Sequence, residues 1–179
     1  MVTAASGSFA KAKLAAANIL AASSSFQTWT TSADSTAAAK RIHFDIGPTP
    51  YNLRAFTADE LRTLRPLAVI RVGEADGLVR RRIAVGVGHS FAEGGMISMM
   101  LEDDLPPNLV DGEDPIEALR LFENNVGDVI DDLCANAGRD YLTITRITTE
   151  RSPQRGSIVG REAQGELFFT SLAIQWSQE

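Results

Sequence analysis

Few residues in this chain can do acid–base, nucleophilic or metal chemistry, and their spacing serves it poorly. The histidines are His43 and His89, and Cys134 is the one cysteine. In His43-Phe44-Asp45 the outer residues stand at strand spacing, so both side chains could point to one face and share a ligand. Two ligands make a poor zinc site and no Cys/His partner pattern follows, so an ordinary strand pair is the stronger reading. His89-Ser90 has neither a spaced acid nor a nucleophile elbow. Glu102-Asp103-Asp104 could attract a hard cation, but the alternating oxygen ligands, glycine and closing glutamate of a calcium loop are absent, and the run reads as a solvated strand exit. Gly86-Val87-Gly88 and Gly156…Gly160 are not phosphate loops, because neither forms G-x-G-x-x-G between a strand and a helix. Met96, Met99 and Met100 read as core and sheet-face residues rather than a peptide groove. The expectation is a protein that is not an enzyme, with no catalytic residue, cofactor or metal.

Charge says more than chemistry does. The net charge is −6, but residues 1–100 carry eleven Lys/Arg against seven Asp/Glu, while residues 101–179 carry six against sixteen. Duplex binding needs a concentrated basic face to displace counterions from phosphate, and the acidic half argues against one. Opposite charge in the two halves permits self-association instead, or a surface that repels DNA. Arg80-Arg81-Arg82 is the basic cluster that stands out. In a strand, Arg80 and Arg82 share a face with Ala84, Gly86 and Gly88, small residues that leave room for another chain. The same pattern fits a solvated sheet edge whose charge blocks aggregation, and both readings stay open. The Gly- and Arg-rich stretch 151–165 reads as a mobile loop that becomes ordered against a neighbouring subunit. Arg80, Arg82, Arg151, Arg155 and Arg161 are therefore the candidate subunit-interface residues.

A frame must hold these residues. At 179 residues, with 44% hydrophobic and 22% charged content, the chain is read as one globular domain over 1–179. One cysteine allows no internal disulfide, which suits a reducing compartment. No apolar run approaches the ~18–20 residues of a membrane span. The Ala-rich opening has no basic residue ahead of it and does not read as a signal peptide.

Residues 1–50 read as N-terminal helices and a first extended segment. A helix is expected from about Ser8 to Trp29, with Phe9, Leu14, Ile19, Leu20 and Phe26 as its large apolar residues. A short helix follows from Ser35 to Lys40, capped by Asp34, and leads into Ile42, Phe44 and Ile46. Gly47-Pro48-Thr49-Pro50 stops regular structure. Thr57 and Glu60 form a capping box for a helical turn.

Residues 67–176 read as a sheet with a crossover helix. Leu67–Glu74 and Leu78–Ser90 are expected to pair as a hairpin through Ala75-Asp76-Gly77. Glu93-Gly94-Gly95 turns into a third strand, Met96–Leu101. Asp114-Pro115-Ile116-Glu117 supplies a cap, a proline at the first helical position and an early carboxylate, so the crossover helix runs over 114–138 and closes at Gly138. Tyr141–Glu150 is a strand with Leu142 and Ile144 on one face and Ile147 on the other. The last strand, Glu166–Trp176, puts Phe168, Leu172, Ile174 and Trp176 on one face. The fold class is α+β, a mainly antiparallel sheet with flanking helices in the order α-α-β-β-β-α-β-β.

Three segments carry a resemblance. The first is Leu20-Ala21-Ala22-Ser23-Ser24-Ser25-Phe26-Gln27-Thr28-Trp29, followed by the Ala-rich helix into Arg41-Ile42-His43-Phe44. The second is the strand pair Leu67–Glu74 and Leu78–Gly88 with the helix from Asp114. The third is Leu142-Thr143-Ile144 with the closing Leu167-Phe168-Phe169-Thr170-Ser171-Leu172-Ala173-Ile174-Gln175-Trp176. In this layout, from about residue 14 onward, the chain resembles the tail-terminator and related neck proteins of long-tailed bacteriophages. The Pro/acidic stretch over 102–114 is longer than that pattern has. The resemblance implies a virion structural protein, assembled in the host cytoplasm as a homo-oligomeric ring of six that caps the tail tube and joins it to the head. Its implied partners are itself, the tail tube protein and a head-side connector protein, with DNA passing through unbound. The alternatives are a head-tail connector at the neck, a small α+β enzyme using His43, Asp45 or His89, and a cytosolic binding module.

Overall fold

A computed structural model describes residues 8–45, 56–71, 79–85, 88–106, 115–136, 138–139, 142–158, 161 and 164–178. The protein is α+β, with a mixed and mostly antiparallel sheet flanked by helices. Its elements are α1 (Ser8–Ala22), α2 (Ser24–Trp29), α3 (Ser35–Ala39), β1 (Ile42–Asp45), α4 (Ala58–Leu64), β2 (Leu67–Arg71), β3 (Val79–Val85), β4 (Gly88–Asp103), α5 (Pro115–Ala135), β5 (Gly138–Arg139), β6 (Leu142–Gly156) and β7 (Leu167–Gln178).

Local chemistry sets the helix boundaries. The expected helix over Ser8–Trp29 breaks in two at Ser23. This residue takes an extended backbone, and its hydroxyl accepts from the Phe26 N–H, so Ser23 caps α2 instead of continuing α1. Asp34 caps α3 through the Ala37 N–H, and Thr57 with Glu60 completes the capping box of α4, both as expected. Helix α5 begins at Pro115 as its proline signal implies and ends at Ala135; Gly138 belongs to β5 rather than closing the helix.

The sheet runs β1-β2-β4-β7-β6-β5, with β3 on the near half of β4. Among the described strand pairs only β1 and β2 run parallel. The expected hairpin between the strands beginning at Leu67 and Leu78 does not form. Instead β3 pairs with the start of β4 from Val85↔Gly88, and β2 pairs with the end of β4 from Leu67↔Glu102. The expected strand Leu78–Ser90 gives β3 and the start of β4, and the 16-residue β4 runs straight through the expected Glu93-Gly94-Gly95 turn and the expected strand Met96–Leu101. Gly94 lies inside it because a β-carbon there would stand 2.9 Å from the Trp176 carbonyl oxygen. That glycine serves close approach to β7, not a turn. The Ala75-Asp76-Gly77 turn and Ile46–Pro50 lie outside the described residues.

Two cores flank the sheet. The larger lies under α1, α2, α3 and α5, where Ile19, Leu20, Phe26, Phe122 and Leu133 meet Met99, Leu101, Leu172 and Ile174. Each such side chain contributes roughly 1.5–3 kcal/mol by burial. Alanines 12, 15 and 16 are buried on α1, which lets that helix lie close, while Leu14 points outward. Rings run from Phe26 to Trp29, Phe122 and Phe168 with centroids 6.1, 5.8 and 5.7 Å apart, tying α2, α5 and β7 together. The smaller core lies on the opposite face: Leu61, Leu67, Val69, Met100, Ile158, Leu167 and Phe169 pack there, with Phe56 and Leu64 against them. Strand β7 therefore divides its residues as alternation demands, with Phe168, Leu172, Ile174 and Trp176 in the larger core.

Strand β6 departs from its expected form twice. A register shift between Ile144 and Arg146 inserts Thr145, so Ile147 returns to the face of Ile144 and packs on the larger core. The strand then continues to Gly156. The first six residues of the expected loop over 151–165 are thus strand, and beyond them the buried Ile158, Arg161 and Gln164 anchor the chain.

Candidate functional site

The acidic run is not a solvated exit. Glu102 lies on the smaller-core face of β4, fully buried, and accepts two 2.7 Å hydrogen bonds from the Arg161 guanidinium. Arg65 Nε stands 3.7 Å from the same carboxylate, and Arg65 Nη1 donates to Asp104 at 2.6 Å. Gln164 accepts from Arg161 Nε and donates to the Phe56 carbonyl. Asp103, one residue along β4, faces the larger core and accepts from Trp29 Nε1 at 2.9 Å. Burial pushes the Asp103 carboxyl above the usual carboxylate range, against the pull of the Trp29 and Asp104 N–H groups. Each carboxylate of the run therefore has its own partner inside the fold. Arg161, expected at a subunit interface, is 5% exposed and committed to Glu102.

His43 sits on β1 opposite Val69, half-buried, and its Nε2 is buried without a hydrogen-bond partner. Burial lowers its pKa, with the Glu102 charge raising it and Arg41 lowering it, which favours the neutral imidazole. The side chains of Asp45 and His89 lie outside what is described, so no ligand pair is defined for His43. Among the described residues no group of three or more His, Cys, Asp or Glu side chains is placed to hold a metal ion. Cys134 is exposed on α5.

A shallow groove of about 260 Å³ separates α2 from α5, bounded by Ser24, Ser25, Thr28, Trp29, Asn125 and Asp128. One turn further along α5, Asp132 accepts from Ser23 Oγ, Ser24 Oγ and the Ser25 N–H at 2.8, 3.1 and 2.9 Å. These bonds, led by the Ser25 N–H, hold the Asp132 carboxyl below its usual range. They explain why α2 starts where it does and why it docks on α5.

Beyond the pairing of β5 with Leu142 and Thr143, no described strand lies along the outer side of β6. That edge carries Arg146, Arg151 and Arg155, all exposed. Arg155 is held by Glu166 at 2.6 Å, whereas Arg146 and Arg151 form no ion pair among the described residues. Glu150, between them, accepts from Ser98 Oγ. Arg80 and Arg82 lie on β3 opposite Glu93 and Phe91 in register, with side chains outside the described residues.

The outer face of α5 has the opposite character. The helix holds five carboxylates against one arginine, and Arg120 pairs with Glu117 at 3.5 Å. Glu123, Asp128 and Asp131 are exposed and form no ion pair among the described residues. Ile116 and Leu121 are exposed near its start, at 65% and 62%. Gly127 lies mid-helix, and a β-carbon there would meet nothing within 4 Å. A glycine in a helix interior costs about 1 kcal/mol against alanine, and no contact among the described residues calls for it.

Sequence reasoning passed over Arg146, Gly127 and this acidic stripe. The signal was present in the spacing Glu123, Gly127, Asp131, which places all three on one helical face. No helix among the described residues is long and apolar enough to cross a membrane. The sequence matches no protein-family model and no curated protein.

Proposed function

We propose that the protein is a self-assembling structural subunit, the tail terminator of a long-tailed bacteriophage, which forms a ring on the tail tube and joins it to the head. The observation that carries this reading is the pairing of two unlike surfaces on one small subunit. One is the β6 edge with its exposed Arg146 and Arg151, and the other is the α5 face with Glu123, Asp128 and Asp131, none of which forms an ion pair among the described residues. Unlike surfaces on one chain make head-to-tail contacts, which close into rings when the rotation permits. The segment layout that resembles neck proteins supports the same reading, and the ring of six follows from that resemblance. The tube protein, the head-side connector and passing DNA are the proposed partners. An acidic lining favours passage, because each Lys/Arg–phosphate contact would add affinity and hold the DNA.

A tube of stacked identical rings has an open growing end, and a ring that binds this end without offering another closes it. Micrographs of particles from a nonsense mutant test the role. Loss of a terminator leaves filled heads beside unattached, overlong tubes. Tails of normal length beside leaking heads would move the assignment to a head-side connector. Normal joined virions would overturn the structural reading and favour an enzyme or binding module.

A further inference from the structure

We infer that the outer face of α5 around Gly127 is a docking surface for the β6 edge of a second copy of this chain, with Asp128 and Asp131 of one subunit opposite Arg146 and Arg151 of the next. This rests on the assembling role proposed above and names the surfaces that carry it. Three observations support it. The two faces are complementary in charge, and none of these four side chains is consumed by an ion pair among the described residues. The basic face lies on a strand whose outer side has no described strand neighbour beyond Leu142 and Thr143, and Arg146 and Arg151 are both exposed there. The acidic face contains a helix-interior glycine with open space above it. A residue without a side chain at the centre of a charged face lets another backbone come close, as Gly94 does within the subunit beneath the Trp176 carbonyl.

The occupant is a second copy because the complementary partner of each face is present on the same chain. Register shifts beside Arg146 and Arg151 break the regular ladder of β6. Such bulges discourage indiscriminate strand addition, which leaves charge and shape to select the partner. Because the α5 face and the β6 edge are different surfaces, the contact is heterologous and propagates head to tail.

Charge reversal in the full-length chain tests this by sedimentation across a concentration series. One variant carries Asp128→Lys with Asp131→Lys, and the other carries Arg146→Glu with Arg151→Glu. Each alone should weaken self-association by about tenfold or more, since like charges then face each other. Circular dichroism and melting should show both variants folded, because all four side chains are exposed. Mixed in equal amounts, the two should assemble again, strictly alternating, because each reversed face meets its reversed complement. Gly127→Gln should weaken assembly in the unreversed chain without loss of fold. A monomeric wild type, unaltered association of the single variants, or a mixture that stays dissociated would each overturn the inference. Restored assembly in the mixture together with normal virions in the nonsense mutant would uphold the contact and reject the tail role.

Discussion

Arg161 and Glu102 meet through two parallel 2.7 Å hydrogen bonds across 59 residues of chain, with side chains 3% and 0% exposed. The pair fastens the segment after β6 to the smaller-core face of β4. Removing one member leaves a charge in a place without water. Breaking a buried pair in this way costs about 3–5 kcal/mol, whereas replacing both members with apolar residues is often neutral. Arg161→Met should therefore lower stability toward the smaller end of that range, because Arg65 Nε still stands 3.7 Å from Glu102. Adding Glu102→Leu should recover part of the loss. Urea denaturation of Arg161→Met, Glu102→Leu and the double variant gives the coupling directly, and strictly additive effects would show that the pair contributes nothing as a pair.

Asp103 supplies a pH signature. Burial raises its carboxyl pKa, so the folded state holds the neutral form more readily than the unfolded chain does. The contribution of that group is full below the unfolded pKa and is lost as pH rises through the folded one. Asp103→Asn keeps an acceptor for Trp29 Nε1 and removes the titration. Its melting temperature should gain on that of the wild type as pH rises from about 4 to 7. A constant difference across this range would mean that the carboxyl is not perturbed.

Asp132 should behave with the opposite sign. Its pKa is depressed, so its contribution is present above the unfolded value and is lost as pH falls through the folded one. Asp132→Ala removes three bonds at the start of α2 and should cost about 1–2 kcal/mol at neutral pH. Acid melts should show the gap between variant and wild type closing.

The features legible in the sequence are those that residues a few positions apart determine. Asp34, Thr57 with Glu60, and Pro115 each mark a helix start through bonds or geometry within one turn. The apolar face of β7 was legible because strand alternation alone sorts Phe168, Leu172, Ile174 and Trp176. Choice of strand partner was not, because β3 turns back onto the start of the strand that follows it, while β2 pairs with the far end of that same strand, more than thirty residues away in some pairs and outside any local pattern. Alternation puts Ile147 on the wrong face because one inserted residue resets it, and nothing in Thr-Arg-Ile announces a bulge. Glu102 and Arg161 read as surface charges because burial of a charge depends on a counter-charge far away in the chain. Of the candidate interface residues, Arg151 and Arg155 stand exposed on β6 and Arg161 is buried, while an acidic stripe such as that of α5 has the spacing that the polar side of any amphipathic helix shows.

Two glycines separate a need of the fold from the proposed need of assembly. At Gly94 a β-carbon would stand 2.9 Å from the Trp176 carbonyl oxygen, a backbone atom of the neighbouring strand with little freedom to move. Gly94→Ala should force β4 and β7 apart locally and destabilise the subunit by about 1–3 kcal/mol, as overpacking does. At Gly127 the same methyl meets nothing, and alanine favours the helix over glycine by about 1 kcal/mol. Gly127→Ala should raise the melting temperature of the isolated subunit. A glycine retained for internal stability should respond like Gly94, and one retained for an outside contact should show a more stable monomer that associates less well. Melting of dilute protein, where monomer dominates, paired with sedimentation at high concentration, separates the two effects. A Gly127→Ala variant that melts lower than wild type would mean that the glycine serves the fold, and the α5 face would lose its strongest reason to be read as a contact.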